Sequence, residues 1–167
     1  MAEKISLWLS HGIHKKLLCR TVGSGAQFTT HAKKMIQAGQ AGDLMAQDEL
    51  AFAFASRFVV ECKFWRDLQF LRFLEKIDKG KDDLYNALIK VKGEATNLNK
   101  QWMLAVKQNR RRDLLFLPTQ AMPYMKEGVE WNWLFNGSVY MFYQDDFFSK
   151  IDPDVFISNQ REQLPMR

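Results

Sequence analysis

The sequence predicts an α/β domain in which a mixed β-sheet is flanked by α-helices, and three patterns predict it. Phe58-Val59-Val60-Glu61-Cys62-Lys63-Phe64-Trp65 is dominated by β-branched and aromatic residues, the composition of a buried strand. Leu68, Leu71 and Leu74, and later Leu84, Leu88 and Val91, recur at helical spacing on either side of the charged turn Asp78-Lys79-Gly80-Lys81. Asn136-Gly137 stands between the aromatic runs Trp131-Asn132-Trp133-Leu134-Phe135 and Ser138-Val139-Tyr140-Met141-Phe142, the strongest short signal for a β-hairpin.

The elements follow in order. Ile5, Leu7, Trp8 and Leu9 make residues 2–10 a short amphipathic helix, with Gly12 placed where a helix ends on a glycine. His11 and His14 beside that end lack further metal ligands and read as solvated. Leu17-Leu18-Cys19-Arg20-Thr21-Val22 is strand-like, and Gly23-Ser24-Gly25-Ala26 opens a loop. After a polar stretch to Gln40, Gly42-Asp43-Leu44-Met45-Ala46 resumes an extended pattern, and residues 58–65 read as a central strand. Beyond the two helical pieces, Leu98, Trp102, Ala105 and Val106 suggest one face of a further helix. Asn109 to Arg112 then leads into the short buried strand Asp113-Leu114-Leu115-Phe116-Leu117-Pro118.

The 167 residues, 47% of them apolar and 13% aromatic, suffice for a real core and exclude a wholly disordered chain. A single domain over residues 1–167 is expected, with its core motifs at about 17–118 and a hairpin extension at 119–167. There are 24 Lys and Arg against 19 Asp and Glu, a formal charge of +5 that suits a polyanionic partner. No apolar run approaches the roughly 18 residues of a membrane helix, and the start carries no secretion-signal pattern. An intracellular, cytoplasmic protein without a membrane partner is therefore expected. Its two cysteines, Cys19 and Cys62, lack zinc-ligand spacing and read as reduced thiols.

The chemistry concentrates on the apolar run. Glu61 and Lys63 are two apart on a strand, so their side chains leave the same face of a segment otherwise too apolar to welcome either charge. Paired with each other and joined by Asp43 from an adjacent antiparallel strand, they would offer two carboxylates to a hard cation such as Mg²⁺, with an ammonium beside it. That set suits phosphodiester hydrolysis: the metal polarises the phosphoryl group and acidifies a bound water, and Lys63 offsets the charge that develops. Glu-x-Lys alone is common in chains of this size; the preceding Phe58-Val59-Val60 and the Gly-Asp segment make it more specific.

Three segments in order resemble the PD-(D/E)XK nuclease superfamily, most closely its Holliday-junction-resolvase-like branch with its phage-type members. Arg20-Thr21-Val22-Gly23-Ser24-Gly25-Ala26 looks like that branch's Arg-x-x-Gly-Ser-Gly-Ala segment, Gly42-Asp43-Leu44 like its Gly/Pro-Asp motif, and Val60-Glu61-Cys62-Lys63 like its Glu-Cys-Lys strand. The resemblance covers about residues 17–65 and continues more loosely over Trp102 to Leu117. It implies a restriction-endonuclease-like sheet and Mg²⁺ or Mn²⁺ as cofactor. It also implies Asp43, Glu61 and the Cys62 main-chain carbonyl as metal ligands, Lys63 as the catalytic lysine, and Ser24 in a loop approaching the substrate backbone. The family's first helix usually adds an acid to the metal site; Glu3 is the only acid available there, so either it substitutes or that ligand is missing.

Under that resemblance Arg20, Ser24, Lys33, Lys34, Arg110, Arg111 and Arg112 are candidates for DNA contact, since neutralised phosphates supply most sequence-independent affinity. The expected function is a Mg²⁺-dependent DNA endonuclease like the junction resolvases, acting on branched DNA as a homodimer. Trp131, Trp133, Tyr140 and Phe142 of the hairpin are candidates for the dimer contact. The alternatives are a restriction-like or nicking nuclease on duplex DNA, and a DNA-binding or assembly protein whose nuclease site has decayed.

Overall fold

A computed structural model describes residues 1–21, 40–66, 68, 83–121, 133–135 and 138–157, with backbone alone at 40–41 and 133–135. It is a mixed α/β structure: a mixed sheet flanked by helices. Five strands run in the order β4 (Phe58–Trp65), β5 (Gln101–Gln108), β6 (Leu114–Pro118), β8 (Val139–Tyr143) and β7 (Trp133–Phe135). β4 and β5 pair in parallel, with Phe58 opposite Gln101 and Trp65 opposite Gln108, and the other pairs are antiparallel. A small antiparallel sheet joins β1 (Leu18–Arg20), β3 (Leu44–Ala46) and β2 (Gln40–Ala41) in that order.

The sheet is buried on both faces, which is why β5 and β6 read as nearly continuous apolar runs. Met103, Ala105, Leu115, Leu117 and Phe142 pack toward α1 (Ala2–Leu9), α2 (Glu49–Arg57), α4 (Gln144–Lys150) and α5 (Asp154–Ile157). Their neighbours in sequence, Trp102, Leu104, Val106, Leu114 and Phe116, face α3 (Asp83–Asn97) through its stripe Leu84, Ala87, Leu88, Val91 and Ala95. α3 and its flanking segments form the crossover that a parallel pair such as β4 and β5 requires.

Several expectations are corrected. The helix expected at Leu98, Trp102, Ala105 and Val106 is β5: α3 stops at Asn97, Asn99 takes φ 52°, and the chain turns back into the sheet. A run buried on both faces carries no polar side to distinguish strand from helix. β4 lies at the end of the five-stranded order rather than in its middle, and its outer side is met by the small sheet through a parallel bridge from Gly42 to Val60. α2, α4 and α5 are absent from the sequence-based elements. Asp48 starts α2 by accepting a hydrogen bond from Ala51 N at 2.9 Å, and Ala51, Phe54 and Ala55 bury its inner face.

The extension expected after residue 118 packs on the core. Trp8 donates its indole N–H to the Ile151 carbonyl at 2.7 Å and sits 5.5 Å from the rings of Phe147, Phe148 and Phe156. The hairpin strands pair Phe135 with Val139 and Trp133 with Met141, while Asn136 and Gly137 lie outside the described residues. Phe142 is 1% exposed and belongs to the core, so it is not available for the dimer contact assigned to it; Trp131 lies outside the described residues, as does the Trp133 side chain. The helical piece expected around Leu71 and Leu74 is also outside them.

Candidate active site

Gly42 turns the chain with φ 66°, and a Cβ there would stand 2.5 Å from the Val60 carbonyl oxygen, so glycine alone permits this approach to β4. Asp43 is locked in three ways. Its N–H donates to the Val60 carbonyl at 2.8 Å, its carbonyl accepts from Thr21 N at 3.0 Å, and its carboxylate Oδ2 accepts from Cys62 N at 2.8 Å. The expected meeting of Asp43 with the Glu61 strand is therefore present, but the Gly42–Val60 bridge is parallel where an antiparallel pairing was expected. Asp43 is buried, as is Glu61.

Glu61 and Lys63 leave the same face of β4, toward α3. Glu61 Oε1 receives Lys63 Nζ at 2.6 Å and Lys90 Nζ at 3.1 Å, and Lys90 also lies 3.7 Å from Glu94 one helical turn on. Lys90 and Glu94 are site residues that motif reading misses. Their signal was available, because they stand four apart beside the buried stripe of α3 and so rim the face that meets the sheet.

The titrating groups report an excess of negative charge. Burial pulls the Lys90 ammonium downward, but the hydrogen bond and charge of Glu61, with Glu94 and Asp43 adding, outweigh it and hold the pKa above the ordinary lysine value. Glu94 is raised, first by burial and then by Glu61 and Asp43 against the opposing pull of Lys90. Burial, reinforced by the Asp43 charge, pushes the Cys62 thiol up to about 12, so its side chain is a neutral thiol and only its main chain can serve as a donor to a hard ion. The Glu61 and Glu94 carboxylates pair with Lys63 and Lys90, and the Asp43 charge acts on Lys90 from β4's outer edge. Oxygen donors with surplus negative charge fit Mg²⁺ or Mn²⁺.

On the opposite face of β4 a cleft of about 490 Å³ opens between the start of α1 and the ends of β4 and β5, lined among others by Arg20, Asp43, Cys62, Lys63, Phe64 and Lys107. Arg20 thus joins the site. Glu3 does not. It lies nearly opposite Ile5 on α1, its side chain is 64% exposed, and it pairs with Lys15 at 3.6 Å while Met1, Ala2 and Lys4 line the cleft. Arg110 and Arg111 are exposed in the β5–β6 turn at the same end of the sheet. Arg112 is drawn back onto the protein by Asp146 at 2.8 Å and lies 3.8 Å over the Tyr143 ring. Ser24, Lys33 and Lys34 lie outside the described residues.

Among the described residues, three ligand atoms lying within 4.8 Å of one another occur at exposed His11, Asp152 and Asp154; Asp43, Glu61 and Glu94 do not form such a group. His14, the neighbour considered from sequence, is not part of the His11 cluster. Among the described residues no helix is long and apolar enough to cross a membrane. No protein-family model matches this sequence, and no curated protein or solved structure matches it.

Proposed function

We propose that the protein is a Mg²⁺- or Mn²⁺-dependent DNA endonuclease of the junction-resolving kind. The observation that carries the reading is the Asp43 carboxylate held on the Cys62 amide, because it brings the Gly-Asp segment onto the Glu-Cys-Lys strand with both Asp43 and Glu61 buried. Asp43, Glu61 and the Cys62 carbonyl would hold the cation, which when bound supplies a polarised phosphoryl group and a more acidic water. Lys63, anchored on Glu61, would supply positive charge to offset the negative charge that develops on the phosphoryl group. Lys90 meets the same Glu61 oxygen as Lys63 and helps keep that carboxylate fixed. Arg20, Lys107, Arg110 and Arg111 lie where a phosphate backbone would pass.

The test is cleavage of four-way, nicked and linear DNA side by side, with and without Mg²⁺. Metal-dependent cutting that favours the branched substrate supports the proposal; no cutting of any of them by well-folded protein with either cation overturns it. One arrangement favours a second reading, a DNA-binding protein with a decayed site: Glu61 is already engaged by two lysines, and Glu3 stands outside the cluster. Calorimetric titration with Mn²⁺ separates the two, since a decayed site takes up no ion that Asp43→Asn abolishes.

A further inference from the structure

Phe64 is the penultimate residue of β4 and follows Lys63 directly, yet its side chain is 60% exposed. Trp65 packs against the core on the α3 side. Phe64 lies opposite Lys107 in the β4–β5 register, and both line the cleft that also holds Arg20 and Lys63. An exposed ring set among cations has little to gain from duplex DNA, whose base faces are covered by stacking and whose backbone offers only charge. A strand with an unpaired base offers both a phosphate and a bare π-face.

The same cleft is lined by Gln144, which is fully buried. Its Nε2 donates to the carbonyls of Leu114 at 2.9 Å and Val106 at 3.3 Å. Both partners are acceptors, so the orientation of the amide is fixed, and Oε1 has no hydrogen-bond partner among the described residues. Ordered water or a group bound in the cleft can supply a donor to such an acceptor.

We propose that the cleft is a nucleotide subsite in which Phe64 stacks on an unpaired base beside a phosphate held by Lys107 and Arg20. The inference rests on the nuclease reading and specifies the DNA feature that site selects: a base that has left the stack next to the cut.

The test uses the full chain in EDTA, with fluorescence anisotropy on a labelled oligothymidine of about 15 nucleotides and on a fully paired duplex of the same length. Phe64→Ala should weaken the single-strand complex by about 5- to 100-fold, with duplex binding within about twofold of wild type, and Phe64→Trp and Phe64→Tyr should restore it. An abasic site walked along the oligothymidine should weaken the wild-type complex most at one or two positions, and that loss should vanish in Phe64→Ala. Equal weakening on both DNAs, no weakening on either, or a large fall in the thermal midpoint of Phe64→Ala overturns the proposal; the last would mean that the ring packs within the protein. If the wild type cuts no DNA but the Phe64-dependent preference holds, the nuclease reading fails and the subsite stands. If cutting is metal-dependent and the branched-to-duplex ratio ignores Phe64, the nuclease reading stands and the subsite fails.

Discussion

Asp43 has a structural role that the proposed chemistry would share. Its Oδ2 satisfies the half-buried Cys62 amide, so truncation to alanine would leave that N–H without its partner at a cost of about 1 kcal/mol. Asp43→Asn keeps an acceptor there and removes the charge. It should therefore lose metal-dependent cleavage and Mn²⁺ uptake while chemical denaturation finds its stability within about 1 kcal/mol of wild type. Retained cleavage would remove Asp43 from the site. Lys63→Met should also abolish cleavage. Its stability loss should be limited to about 1–2 kcal/mol, because Lys90 still compensates the buried Glu61 and the Lys63 side chain is partly solvated. Gly42→Ala is the severe change at this scale. A left-handed alanine with its Cβ against the Val60 carbonyl should lower stability by about 2–3 kcal/mol and displace Asp43. A variant with wild-type stability and activity would contradict the close approach.

Elements differ in how legible they were. β4 was readable to the residue, because its β-branched run is bounded by polar segments, and β6 and the hairpin followed from a turn and an Asn-Gly pair. β5 was mistaken for a helix because both its faces are apolar, and α2 was missed because Phe52 and Phe54 in ELAFAFASR imitate strand alternation while the cap lies one residue upstream in Asp48. At the site, Asp43, Glu61 and Lys63 were visible as motif residues; Lys90 and Glu94 were not, since only the docking of α3 on the sheet brings them to Glu61. Lys100, in the turn between α3 and β5, reaches back to donate to the Ala55 carbonyl of α2 at 2.7 Å and so closes that helix end. Lys100→Met should cost about 1 kcal/mol in urea unfolding near neutral pH. Burial lowers the Lys100 pKa below its usual 10.5. The charged form is thus disfavoured by folding. The wild type should gain on Lys100→Met as the pH rises through the folded pKa toward 10.5, and a difference that shrinks or stays constant over that window would contradict the assignment.

The whole molecule carries one candidate site per chain, whereas opposed incisions across a junction need two. Light scattering at micromolar concentration is therefore expected to give about twice the 19.6 kDa chain mass. A strict monomer that nicks linear duplex as readily as a junction would overturn the proposed resolving activity and leave the proposed metal site standing. The Gly42 bridge sets a different property. It ties Asp43 to β4 from a small sheet that is separate from the five-stranded one, so detaching that sheet would dismantle the proposed metal site while β4–β8 stay paired. Site integrity thus becomes a local opening equilibrium, cheaper than global unfolding. In native-state hydrogen exchange the amides of Asp43 and Cys62 should open together and earlier than those of Met103 to Val106, and added Mn²⁺ should slow that pair selectively by mass action. Exchange at those two amides as slow as in the middle of β5, unchanged by the ion, would show the two sheets to be a single cooperative unit.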